Sequence, residues 1–274
     1  MGKIIAIANQ KGGVGKTTTA INLAAAVALL NKKVLLVDAD PQGNASSGVG
    51  VSTENLELTI YDSLIDDVDP KEIIVSTETT NLDLLPSNIE LVGAEVELVN
   101  KLSREYFMKN MLEKVKDDYD YIFIDCLPSL GLITVNALVS ADSVIVPVQC
   151  EFFSLEGFGK LKSTINMVKE NLNPNLQIEG IVLSMYDSRL RMANMVVNEV
   201  RTIITDKIFD TIIHRNSKIG EAPSLGQPVL IYDITSKGAT NFLNLANEFI
   251  QQNTDNIFKD KSISDIKEAL KKED

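Results

Sequence analysis

A doubly wound α/β fold, with a mostly parallel sheet and helices on both faces, is what this 274-residue sequence predicts. Two observations predict it. Short runs of Ile, Val and Leu alternate with longer amphipathic stretches, and the runs are apolar on successive residues, as strands covered on both faces must be. A Gly-rich turn joins the first run to the first amphipathic stretch, which is the strand–loop–helix order of a right-handed crossover.

The strands are predicted at residues 3–8, 34–38, 82–85, 121–125, 143–148, 178–184 and 208–213, and the helices at 16–31, 88–103, 155–171, 193–204 and 239–251. No internal repeat, low-complexity tract or Pro/Gly linker divides the chain. One domain over residues 1–252, followed by a charged tail at 253–274, is the expected organisation.

Composition removes several classes. At 45% hydrophobic and 23% charged residues, the chain is too apolar for disorder. Its longest apolar runs, such as residues 24–30, fall short of the roughly 18 residues that cross a membrane. The N-terminus lacks a signal-peptide core and cleavage site. Two cysteines, Cys126 and Cys150, make neither a disulfide scaffold nor a four-thiolate metal site, and His214 as the sole histidine rules out a His-based triad. A cytoplasmic protein is expected. The net charge of −12 opposes a general affinity for nucleic acid. The charge is uneven, however: residues 54–120 hold 17 acidic and 6 basic side chains, residues 185–240 hold 7 basic and 6 acidic. Any contact with a polyanion therefore belongs to the second region.

Lys11-Gly12-Gly13-Val14-Gly15-Lys16-Thr17-Thr18 carries the strongest chemical signal. It follows a predicted strand and opens a helix, the context in which backbone N–H groups converge on phosphate oxygens at the positive end of a helix dipole. Lys16 is placed to reach the β- and γ-phosphates of ATP, and the Thr17 hydroxyl suits Mg²⁺. Two later strands end in carboxylates. Asp38 and Asp40 are two residues apart in an extended segment and project to one side, where they suit a Mg²⁺ hydration shell and an attacking water. Asp125 closes the apolar run Tyr121-Ile122-Phe123-Ile124 and is placed to anchor Mg²⁺.

The loop departs from the common phosphate-binding pattern: Gln10 stands at its first Gly position, and Lys11 is added. In this it resembles the deviant Walker A ATPases, within the P-loop NTPase fold. The resemblance implies that Lys11 reaches across a dimer interface to the nucleotide of the facing subunit, so that two ATP molecules are sandwiched in a homodimer. It also makes Asp40 the residue needed for hydrolysis, alongside Lys11 and Lys16. The segment Cys126-Leu127-Pro128-Ser129-Leu130-Gly131 looks like the family's switch, with Leu127 departing from the usual second position.

Within that family, the cysteines lack the flanking partners that cluster carriers need. The tail carries Ile263, Ile266 and Leu270 at helical spacing but 5 lysines against 6 acids, which favours docking on the protein's own surface, or disorder, over anionic lipid. The stretches Gln10 to Asn44, Ser184 to Arg189 and Arg215 to Ser224 resemble the ParA/Soj partition ATPases, in the short form without an N-terminal operator-binding domain. That resemblance implies sequence-independent binding of double-stranded DNA by the ATP dimer through Arg189, Arg191, Arg215, Lys218 and Lys237, association with the nucleoid, and a ParB/Spo0J-like centromere-binding partner that stimulates slow hydrolysis. No membrane partner is expected. By the same resemblance Pro223 to Pro228 border the adenine, and Met185 packs on it. A membrane-surface septum-site ATPase and a cargo-positioning ATPase of the same fold are the alternatives.

Overall fold

The structure, a computed structural model, describes residues 2–54, 56–151, 154–254 and 261–270. Seven strands form one sheet: β1 (Lys3–Ile7), β2 (Val34–Ala39), β3 (Val75–Ser76), β4 (Leu82–Leu85), β5 (Tyr121–Cys126), β6 (Ser143–Gln149) and β7 (Gln177–Ser184), in the order β3-β4-β2-β5-β1-β6-β7. All pairings are parallel except β3 with β4.

Side-chain alternation divides the core between the two faces. Ile4, Ala6, Leu35, Val37, Ile122 and Ile124 enter one apolar cluster, together with the helices Phe107–Glu113, Leu132–Ser140 and Ser154–Asn171. Their neighbours Ile5, Ile7, Val34, Leu36 and Phe123 enter the other, under the helices Lys16–Leu29 and Lys237–Gln252. The first of these two helices is Ala-rich and buried almost all round, so it lies close to both the sheet and the second. Its buried Asn22 is satisfied at both ends, donating to the Thr18 carbonyl (2.8 Å) and accepting from Val229 N (2.7 Å).

Pro147 occupies β6 without cost to the ladder. Pairing of β1 with β6 ends at Ile7 opposite Ile145, so the missing N–H falls where β1 has already turned into its loop.

The expected strand at 208–213 is corrected. It follows β7 in parallel but makes only isolated bridges, at Ile181–Ile208 and Tyr186–His214. Phe209 N reaches the Ile181 carbonyl and Ile213 N reaches that of Leu183, so this segment spends four residues where β7 spends two. The expected helix at 88–103 is shorter, Leu91–Glu97 with a 3-10 turn at Leu98–Asn100. In the tail, the helix Ile263–Leu270 docks on the protein's own surface: Ile266 is fully buried in the second cluster, and the Asn247 side chain bonds the Lys261 carbonyl (2.9 Å) and N–H (3.2 Å). Residues 255–260 and 271–274 of the predicted tail lie outside the described residues. Among the described residues no helix is long and apolar enough to cross a membrane.

Candidate active site

The loop after β1 runs from Ala8 to Gly15, and the helix Lys16–Leu29 starts directly behind it. Gly13 and Gly15 hold φ of +74° and +89°, a left-handed backbone open to glycine at no steric cost. Two side chains, one from the loop and one from β7, tie the loop to the sheet. Asn9 donates to the Pro147 carbonyl (2.7 Å) and accepts from Lys11 N (3.0 Å), while the Ser184 hydroxyl donates to the Val14 carbonyl (2.8 Å). Lys16 is 6% exposed and its ammonium donates to the Lys11 carbonyl (3.3 Å). Burial pulls its pKa down, against the raising effect of Asp125 and Asp40.

Sheet register brings the carboxylates together. Asp38 on β2 stands directly beside Asp125 on β5, and Asp125 beside Ile7 at the end of β1. All three mark the C-terminal edge of the central strands, where ligands of open α/β sheets bind. Asp38 is fully buried and engaged, accepting from Ser46 N and Oγ (2.8 Å each) and from Asp40 N (3.1 Å). Burial pushes its pKa up to about 6, against the lowering effect of the Ser46 bonds. Asp125 is equally buried, yet neither of its carboxylate oxygens has a hydrogen-bond partner. Burial first, and then the Asp38 charge, hold its carboxyl well above the usual range, opposed by Thr17 and Lys16.

An orphaned buried carboxylate beside the Thr17 hydroxyl is a receptor for a hard cation. Among the described residues no group of three or more His, Cys, Asp or Glu is arranged to hold a metal alone. That suits Mg²⁺, which takes one or two protein groups and completes its shell with phosphate oxygens and water. Thr17 and Asp125 fit the ion directly, whereas Asp38, its oxygens committed to Ser46 and Asp40, stands behind them.

An open cleft over the loop is lined by Gly12, Gly13, Lys16, Thr17, Asp40 and Pro128, among others. One Asp40 oxygen accepts from Gln42 N (2.9 Å). A second cleft of about 200 Å³ adjoins it, reaching from Gly15 and Thr18 across Met185 to the segment 213–220. Met185, held at φ +54°, borders both. Pro223 borders neither. It is exposed on the 3-10 turn Ala222–Leu225, while Arg215, Asn216, Ile219 and Gly220 line the second cleft.

The five basic residues come from three neighbouring segments. Arg215 N donates to the Tyr186 carbonyl (2.9 Å), which ties its segment to the one carrying Arg189, and Arg191 opens the helix Arg191–Ile203. Lys218 and Lys237 are joined by the packing of Ile219 on Gly238. They differ in engagement. Arg189 forms a two-pronged pair with Asp187 (2.9 and 2.7 Å), Lys218 pairs with Glu221 (2.7 Å), and Arg215 reaches Glu151 at 3.7 Å. Arg191 and Lys237 are exposed, with no ion pair among the described residues.

Sequence reasoning missed Ser46, Asn9 and Ser184, which contact the site across 8, 138 and 170 residues of chain. Only Ser46 left a signal, in the short polar helix Asn44–Gly48 behind Asp40.

Comparison with known proteins agrees with this geometry. A family model described as an AAA domain matches residues 2–178. The sporulation initiation inhibitor protein Soj of Bacillus subtilis is 53% identical over 248 residues, 90% of this chain and 98% of that one. The chromosome partitioning protein ParA of Myxococcus xanthus is 50% identical, covering 93% and 90%. Among solved structures, a cobyrinic acid a,c-diamide synthase from Mycobacterium smegmatis, with a bound ATP analogue and magnesium, superposes with a TM-score of 0.85 at 35% identity, over 93% of this chain and 96% of that one.

Proposed function

The chain belongs to the ParA/Soj family of P-loop partition ATPases, with ATP and Mg²⁺ as its ligands, and from that premise we propose that it cycles between a monomer and an ATP-bound homodimer that binds DNA without sequence preference. The observation that supports the reading most is the lysine-bearing loop set against Asp125, whose two buried oxygens lack partners.

Thr17 and Asp125 would hold the Mg²⁺ ion, which would supply positive charge beside the phosphates of ATP. The chain's own groups do the rest. Loop N–H groups and the start of the helix Lys16–Leu29 hold the phosphates, and Lys16 places its ammonium on them as charge develops. Asp40 lines the cleft and orients the attacking water, while Asp38 orients its neighbours through Ser46 and Asp40 N. Lys11 completes the site on the facing subunit. Met185 and the segment 213–220 receive the base.

Dimerisation doubles a weak basic patch. Arg189, Arg191, Arg215, Lys218 and Lys237 then contact phosphates of nucleoid DNA, which explains physically how ATP switches DNA affinity on. A ParB/Spo0J-like partner stimulates hydrolysis and releases the dimer, so turnover acts as a timer.

The test is retention on random-sequence duplex DNA and on anionic liposomes with ATP, ADP or no nucleotide, at two salt concentrations. Salt-sensitive retention on DNA with ATP alone, and none on liposomes, is the expected result. Retention on liposomes without DNA binding would replace this reading with a membrane-surface ATPase.

A further inference from the structure

The segment 89–102 presents an apolar stripe to solvent. Leu91, Ala94 and Leu98 are buried, while Ile89, Val92, Val96, Val99 and Leu102 are 65, 52, 70, 49 and 93% exposed. Val92 and Val96 share one face of the helix Leu91–Glu97, and Ile89 and Val99, three residues before and after them, extend the stripe at its two ends. β-Branched residues such as Ile89, Val92, Val96 and Val99 are weaker helix formers, and a solvated face has no use for them, so local structure does not account for the stripe.

Its rim is acidic. Glu90 and Glu97 flank it, and the Tyr61 hydroxyl, which donates to Glu97 Oε1 (2.8 Å), sits in the field of Glu97, Asp66 and Glu90. The two cations at its far end are spent on their own chain: Lys101 bonds the Ile65 carbonyl (2.7 Å), and Arg104 bonds the Val99 carbonyl (2.6 Å) and Glu105 (3.1 Å). A second copy of this chain is a poor occupant, because a two-fold contact sets the same acidic rim against itself.

The same helix reaches the nucleotide cleft from its other side. Glu95 Oε1 accepts from Ile133 N (3.2 Å), in the first turn of the helix Leu132–Ser140, and its carboxylate lies so close to Gly131 that a Cβ there would overlap it. Gly131 ends the loop that follows Asp125 and carries Pro128 into the cleft.

We propose that the stripe docks a basic amphipathic helix of a partner protein, about 14 residues or 20 Å long, and that Glu95 passes the docking to the loop after Asp125. The docking is independent of the function proposed above; only its effect on turnover rests on that reading.

The test uses the full chain and a 14-residue helical peptide of Leu and Lys, with Leu on one face, against a scrambled peptide of equal charge. Fluorescence anisotropy without nucleotide reads docking, and ATP turnover reads its transmission. The patterned peptide binds in the micromolar range, and scrambling it weakens binding about tenfold or more. So does the double variant Val92→Asp, Val96→Asp, whose exposed sites leave the circular dichroism unchanged. Glu95→Ala, which removes the acceptor for Ile133 N and the contact at Gly131, keeps the binding and loses the turnover response. Equal binding of the scrambled peptide, or equal binding by the double variant, overturns the docking site. A dimer that the double variant abolishes would make a second copy the occupant and also overturns it. An intact turnover response in Glu95→Ala overturns the coupling. Absence of basal turnover in the unmodified chain counts against the ATPase reading and leaves the docking result standing.

Discussion

The nucleotide edge and the basic surface of this protein are both built from charged side chains, and they obey different physics. At the edge, Lys16, Asp38 and Asp125 are withdrawn from water, so each group acts strongly on its neighbours and an unpaired oxygen is costly. On the surface, Arg189, Arg215 and Lys218 stand in solvent, and their pairs with Asp187, Glu151 and Glu221 contribute little. Affinity at the edge thus comes from a few fixed groups, while affinity at the surface comes from numbers. On the function proposed above, firm hold on nucleotide and ready release of DNA are served by keeping the two apart.

The largest effect expected from breaking the edge is at Lys16. Lys16→Gln lowers kcat for ATP by about a thousandfold, because one fixed charge facing the developing phosphate charge is worth several kcal/mol; steady-state phosphate release measures it. Asp40→Ala keeps ATP binding, lowers turnover by about a hundredfold and traps a dimer visible in light scattering. A monomeric ATP-bound variant would remove Asp40 from that role.

Asp125→Asn separates stability from activity. It removes a carboxyl whose ionisation is opposed by burial and by the Asp38 charge, and raises the unfolding free energy of the nucleotide-free protein by about 1–3 kcal/mol. Thermal melts read the gain, and loss of Mg²⁺-dependent nucleotide binding accompanies it. The pH dependence follows from Asp38, whose folded pKa of about 6 lies above the ordinary carboxylate value. The folded state holds that proton more tightly than the unfolded chain. The group therefore lowers the stability of the ligand-free protein as pH rises from about 4 to 6, and the loss is complete above that range. Melts of the wild type and Asp38→Asn across pH 4–7 show it as a difference of about 2–3 kcal/mol that develops over this window.

The smallest single effects belong to the surface. Arg189→Glu with Arg215→Glu lowers DNA retention at low salt by about tenfold to a hundredfold while dimerisation survives, and Lys237→Ala alone lowers the salt slope by about one unit. Retention unchanged in the double variant would move the patch.

The edge was legible in the sequence because its parts are contiguous. Lys11 to Thr18, Asp38 to Asp40 and Asp125 each announce themselves within a few residues, and a parallel sheet aligns strand ends without further information. What escaped reading was non-local. Ser46 against Asp38, Asn9 against Pro147 and Ser184 against Val14 depend on folding, and so does the segment 213–220, which lies along β7 and lines the second cleft where Pro223 does not. The same limit applied to the fold. Strands apolar on successive residues were found, but Val75–Ser76 is too short to show a period, and helices such as Leu132–Ser140 are too evenly apolar to show a face.

Strand order has a consequence for synthesis. β1 leaves the ribosome first, yet its two neighbours, β5 and β6, begin at Tyr121 and Ser143. At 5–20 residues per second, the nascent phosphate loop waits roughly 6 to 30 s for the strands that flank it. For that interval an apolar strand and an Ala-rich helix are exposed without their sheet, which makes this first segment the one most in need of a chaperone.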